Sequence, residues 1–129
     1  MRNAQLFRGV CMMSEKNVIV EKSKAFALRT INLYRYLTEN HKIYPIAVQV
    51  LKSGTSIGAN VREAIRAQSK PDFYSKMNIA LKESSETEYW LELLYESSYI
   101  NQEQFNSIHH DCLELTKILI SITKTQNNP

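Results

Sequence analysis

Apolar side chains recur every third or fourth position through most of this chain, the period of helices that bury one face. Glycine and proline fall mostly at the boundaries between such runs. Four helices are predicted. The first covers about 18–40, with Val20, Ala27, Ile31 and Tyr34 on one stripe and Phe26, Leu33 and Leu37 about 100° round the cylinder. Pro45 suits the first turn of the second, where its missing N–H costs nothing; the pattern then runs to about 68 with Ile46, Val50, Ile57, Val61 and Ala64 facing inward. Ser69 is placed to cap the third, which continues to about 98 through Phe73, Met77, Ala80, Leu91 and Tyr95, with Asp72 favoured in its first turn by the helix dipole. Asn101 followed by Gln104 reads as a capping box for the fourth, whose inner face is Phe105, Ile108, Cys112, Leu115, Leu119 and Ile122. No alternating strand pattern competes. Four such helices on short links predict an all-α, antiparallel up-down-up-down four-helix bundle.

Composition agrees with one domain. The 129 residues are 43% hydrophobic and 22% charged with only 3 Gly and 3 Pro, which excludes collagenous and strongly disordered chains. Cys11 and Cys112 lie far apart and in no metal-ligand spacing, so a reducing, cytoplasmic setting is expected. No apolar run approaches a bilayer's width, so no membrane partner is expected. Residues 1–16 show no sustained period and are expected to be a flexible leader, 17–126 the bundle, and 127–129 a tail.

Charge is unevenly distributed. Residues 1–70 carry 12 Lys and Arg against 4 Asp and Glu, whereas 71–129 carry 4 against 9. A basic surface can meet a polyanion, or it can dock on the acidic surface of another copy. Arg29 on the first helix, Lys52, Arg62 and Arg66 on the second and Lys70 in the link are the candidate phosphate contacts; an ordinary solvated face is the other reading. Tyr34, Tyr36, Tyr74 and Tyr89 could stack on bases, though aromatics at helical spacing usually pack.

Gly54 and Gly58 should each cost about 1 kcal/mol in a helix interior relative to alanine. Four residues apart, they let a second helix approach closely; the Gly-Lys-Ser/Thr ending of a phosphate loop is absent. Ser53, Ser56 and Asn60 border the inner stripe of the second helix, and Ser84 and Glu88 fall among the apolar positions of the third. Because buried polar groups need partners, these five are expected to form one structural network across helices two and three. A catalytic role for Glu88 would need a nucleophile or base at recognisable spacing, and none accompanies it, so no catalytic residue is expected. His109 and Cys112 could share a metal ion, but Cys112 reads better as a small core residue; no metal and no cofactor are expected. Ile79, Trp90 and Leu93 gather outside the primary core as a candidate oligomer interface, with acidic Glu83 and Glu86 beside them.

The run Gln49-x-x-Lys52-Ser53-x-Thr55-Ser56-Ile57-Gly58-Ala59-Asn60-Val61-x-Glu63, then Asp72-Phe73, then Ile79-Ala80-x-x-x-Ser84-x-Glu86-x-Glu88-x-Trp90-Leu91 resembles the four-helix bundle proteins encoded by intervening sequences of bacterial large-subunit rRNA genes. The likeness spans about 18–125. It implies an antiparallel bundle assembled as a homopentamer. A related fold, the accessory variability determinant of diversity-generating retroelements, is a basic pentamer that binds nucleic acid and a reverse transcriptase. Ala64 stands where the family often has Gly, Gly54 where Ala is frequent, and the net charge of +3 is mild. Taken together, the residues and the resemblance lead to the expectation of a non-enzymatic homo-oligomer that binds RNA or DNA through its basic surface. The alternative is a scaffold oligomer that binds a protein partner.

Overall fold

The computed structural model describes the backbone of residues 4–127 and the side chains of residues 16–126. Four α-helices follow one another: α1 Ala4–Asn40, α2 Pro45–Ile65, α3 Lys70–Glu96 and α4 Gln102–Lys124, closed by a short 3-10 turn at Thr125–Asn127. Among the described residues there is no strand, and no helix is long and apolar enough to cross a membrane. Helix α1 extends well before the expected start near residue 18, so the described part of the expected leader continues α1. Residues 1–3 of that leader, and 128–129 of the expected tail, lie outside the described residues.

Local chemistry sets the boundaries. Pro45 opens α2. The Ser69 hydroxyl accepts from the Asp72 N–H at 3.2 Å and starts α3. Asn101 and Gln104 complete the expected capping box, each side chain accepting from the other's backbone N–H at 2.8 and 2.9 Å. Helix α2 stops at Ile65, short of the expected 68, where the Arg66 N–H bonds the Glu63 carbonyl at 3.2 Å and the chain turns toward Ser69. Helix α3 ends at Glu96 because Ser98 takes a left-handed backbone (φ 70°) and lets the Tyr99 N–H reach the Leu94 carbonyl at 2.9 Å.

Helix α1 packs on α2 and α4, and α3 packs on the same two, with the α1–α4 seam the least extensive of the four. The pairing order shows every neighbour to be antiparallel: Ser23 meets Gly58 and Thr30 meets Gly54, Ser53 meets Thr87 and Glu63 meets Lys76, Ser84 meets Thr116 and Glu88 meets His109, and Lys22 meets Glu114 and Arg29 meets Asp111. Ile19, Phe26, Leu37, Val50, Ile57, Val61, Met77, Leu91, Leu94, Leu115 and Leu119 fill the core. The inner face of α4 is as expected from its spacing, with Phe105 half-buried at the edge.

The inner face of α1 differs. Its buried line is Ile19, Ser23, Phe26, Thr30 and Leu37, while Val20, Ala27, Ile31 and Tyr34 are half-buried along the flank. Ser23 and Thr30 interrupt the apolar period by residue type. Each is accommodated because its hydroxyl donates to a carbonyl three residues back, Val20 at 3.2 Å and Ala27 at 2.7 Å.

Candidate functional site

The five residues expected to form one network fall into separate arrangements. On the α2–α3 seam the buried Thr87 hydroxyl lies 2.8 Å from the Ser53 hydroxyl and 2.7 Å from the Glu83 carbonyl, while Ser53 reaches the Val50 carbonyl at 3.5 Å. Ser84 instead faces α4, hydrogen-bonded to the Thr116 hydroxyl, while its carbonyl accepts from the Cys112 thiol at 3.4 Å. Glu88 also faces α4 and accepts from His109 Nε2 at 2.9 Å. Asn60 does not cross between helices: its amide donates to the Ser56 carbonyl, 2.8 Å away within α2. The α3 stripe spreads over two neighbours because its positions 84 and 88 turn toward α4 whereas 87 turns toward α2. Thr87, Thr116 and His109 are the partners that residue spacing on two helices alone could not supply. No buried side-chain nitrogen or oxygen among the described residues lacks a hydrogen bond.

Gly54 and Gly58 do allow close approach, but to α1. A β-carbon at 54 would overlap the Thr30 methyl and lie 2.9 Å from Thr30 Cβ; one at 58 would meet the Ser23 backbone at 3.3–3.4 Å. The α2–α3 seam is instead closed by the Ser53–Thr87 hydroxyl pair.

Burial pushes the Cys112 thiol up to about 12, with Glu88's charge adding and the Ser84 hydrogen bond opposing. It is a core residue rather than a reactive thiolate. Burial and the neighbouring Glu86 raise the Glu83 carboxyl above its ordinary value, while Lys52 pulls it back.

The candidate phosphate contacts do not form one surface. Arg29 lies on the α1–α4 seam, where Nη1 pairs with Asp111 at 2.7 Å and with the Ser107 carbonyl at 3.2 Å, and Nη2 donates to the Ser107 hydroxyl at 3.0 Å. The same guanidinium borders an open cleft of about 520 Å³ with Tyr36 and Ile108. Lys52 sits on the α3 side of α2, close enough for its charge to act on Glu83. Arg62 is on the α1 side, lining a shallow groove of about 420 Å³ with Val20, Lys24, Ala27, Thr55 and Ala59, where Ser23 and Gly58 cross. Arg66 and Lys70 are exposed in and beside the α2–α3 link. Sequence spacing placed Arg29 on the right helix; its pairing across to α4 depends on tertiary register.

Two outer faces carry exposed apolar groups. On α1 and α2, Leu28 (54%), Val48 (38%) and Ile65 (43%) are exposed, and Ala27, Ile31, Tyr34 and Leu51 are half-buried. On α3, Ile79 is exposed, and Trp90 and Leu93 are half-buried rather than fully outside the core. Trp90 packs inward against the core, donates Nε1–H to Glu86 at 3.1 Å, and lies with its ring 5.2 Å from that of the exposed Tyr89. Glu88 lines neither the cleft at Arg29 nor the groove at Arg62.

A family model described as 23S rRNA-intervening sequence protein matches residues 15–121. Among solved structures, a protein with unknown function from the S23 ribosomal protein family of Bacteroides thetaiotaomicron VPI-5482, determined at 1.70 Å resolution, is 55% identical. The similarity covers 86% of this chain and 99% of that one, with a TM-score of 0.85. No curated protein matches.

Proposed function

This chain belongs to the 23S rRNA-intervening sequence protein family, and from that premise we propose that it acts without catalysis, as a homo-oligomeric helical scaffold whose copies dock head to tail. The observation that carries this reading is the presence of two unlike outer faces on one subunit. Leu28 on α1 and Val48 and Ile65 on α2 are exposed, and Lys24, Arg62 and Arg66 on or just past the same two helices are not ion-paired among the described residues. The α3 face joins Ile79, Tyr89 and Trp90 to Glu83 and Glu86. Apolar surface meeting apolar surface supplies the driving force, and opposite charge around it fixes orientation. Faces that are complementary but different make a heterologous contact, which closes into a ring when the rotation allows. Five copies is the ring size that the family resemblance implies.

The test is the mass in solution. Light scattering should give a multiple of 15.0 kDa for the wild-type chain, and Leu28→Glu should reduce it toward one subunit. A wild-type mass of one subunit would refute assembly.

Contact with RNA or DNA phosphates is the second reading, favoured by the absence of acidic partners for Arg62, Arg66 and Lys70 among the described residues. Retardation of mixed-sequence RNA or DNA at low salt, weakening steeply as salt rises and lost in Arg62→Glu/Arg66→Glu, would support it. No retardation at low salt would leave the protein scaffold alone.

A further inference from the structure

Glu88 and Glu92 stand one turn apart on α3, and His109 meets them from α4. One ligand atom from each lies within 4.8 Å of the others. We propose that these three side chains form a binding site for a divalent transition-metal ion, with Zn²⁺ the best match to the donor set.

One imidazole nitrogen and two carboxylate oxygens are characteristic zinc donors, and a site with three protein ligands keeps a position for water. Helical geometry brings the carboxylates together, because residues four apart share a face. Glu88 and Glu92 are like charges four residues apart on one helix face; among the described residues no lysine or arginine pairs with either, and His109 is the sole ion-pair partner of Glu88. A divalent ion neutralises both.

The imidazole is also held ready. His109 stacks on Phe105, ring centroids 4.6 Å apart at 19°, and Phe105 stacks on Tyr95 at 4.8 Å and 19°. That stack aims the ring edge at Glu88, with the His109 and Glu88 side chains only 22% and 31% exposed. Nε2 and Oε2 lie 2.9 Å apart. Ligand atoms around a tetrahedral zinc with bonds of about 2.0–2.1 Å are separated by about 3.3 Å, so the ion would displace the Nε2 proton and part Nε2 and Oε2 by a few tenths of an ångström. It would also draw in the Glu92 carboxylate, whose oxygen lies within 4.8 Å of both, by rotation of its side chain. Cys112 is excluded as a ligand by its burial and its hydrogen bond to the Ser84 carbonyl. His110 projects about 100° away from His109 and takes no part. Bound metal would tie α3 to α4 beside the Tyr95 end of the seam.

Calorimetric titration of the chelator-treated full-length chain with ZnCl₂ tests the site. One Zn²⁺ per chain is expected, with affinity at least tenfold weaker in Glu92→Gln and in His109→Ala and unchanged in His110→Ala. Glu92→Gln retains the Glu88–His109 pair, so its metal-free melting temperature should match wild type while the Zn²⁺-induced rise is lost. Absence of saturable binding, or wild-type binding by Glu92→Gln, would overturn the proposal.

Discussion

Gly54 on α2 faces Thr30 on α1 so closely that there is no room for a β-carbon between them. Thr30 cannot easily yield: it is fully buried, β-branched, and held by its hydroxyl to the Ala27 carbonyl at 2.7 Å. The helices themselves must therefore part. Gly54→Ala should destabilise by about 1–2 kcal/mol, overpacking exceeding the gain in helix propensity. Thr30→Ala in the same chain should recover part of the loss. Gly58→Ala, which meets Ser23 only at 3.3–3.4 Å, should change stability by less than about 0.5 kcal/mol, since propensity offsets a small adjustment. Chemical denaturation of the three variants checks both halves of this prediction, and equal costs at 54 and 58 would contradict it.

The Ser53–Thr87 hydroxyl pair is buried between α2 and α3. Removing one hydroxyl leaves the other less well satisfied, so Ser53→Ala and Thr87→Val should each cost about 1–2 kcal/mol. The double variant should cost less than the two together, because neither buried hydroxyl then lacks its partner. Additive losses in a double-mutant cycle would show that the bond contributes nothing.

Cys112 should be chemically silent. With its thiol pushed up to about 12 by burial, alkylation at pH 8 in a Cys11→Ser background should proceed only as fast as the protein opens. Denaturant should restore the rate of a free thiol. Rapid modification of the native chain would mean that the α3–α4 seam is open.

The raised Glu83 carboxyl gives a pH dependence of definite sign. The folded subunit holds this proton more tightly than the unfolded chain, whose Glu has its ordinary value of 4.5. Stability from this group is therefore fully present below that value and is lost as pH rises through the raised folded value. In the dissociated subunit Glu83→Gln should be slightly more stable than wild type near pH 7, by less than about 0.5 kcal/mol for so exposed a group, with the gap closing near pH 4. Melts of the Leu28→Glu chain with and without Glu83→Gln measure it; a gap that widens in acid would contradict the assignment.

Much of the bundle was legible because helix ends carry their own chemistry: Pro45, Ser69 and the Asn101–Gln104 box act within three or four residues of the chain. The α4 face was legible because its buried positions are apolar or small. What was hidden is what depends on register between helices. Ser23, Thr30, Thr87 and Thr116 occupy inward positions yet look like surface residues by type, since each hydroxyl can bond a carbonyl three or four residues back. For the same reason the polar residues of α2 and α3 looked like one network. In the structure Ser84 and Glu88 face α4, and Asn60 bonds within its own helix. Arg29 looked free for phosphate because Asp111 and Ser107 are remote in sequence. Glu92 drew no attention until the fold brought it beside His109.

Charge exchange between the two outer faces tests head-to-tail docking most directly. Light scattering should show Arg62→Glu/Arg66→Glu, and separately Glu83→Lys/Glu86→Lys, shifted toward the mass of one subunit, because each places like charges across the contact. The chain carrying all four substitutions should return to the wild-type mass, with opposite charges again facing each other. Wild-type mass in both double variants, or no recovery in the fourfold variant, would contradict docking of the α1–α2 face on the α3 face.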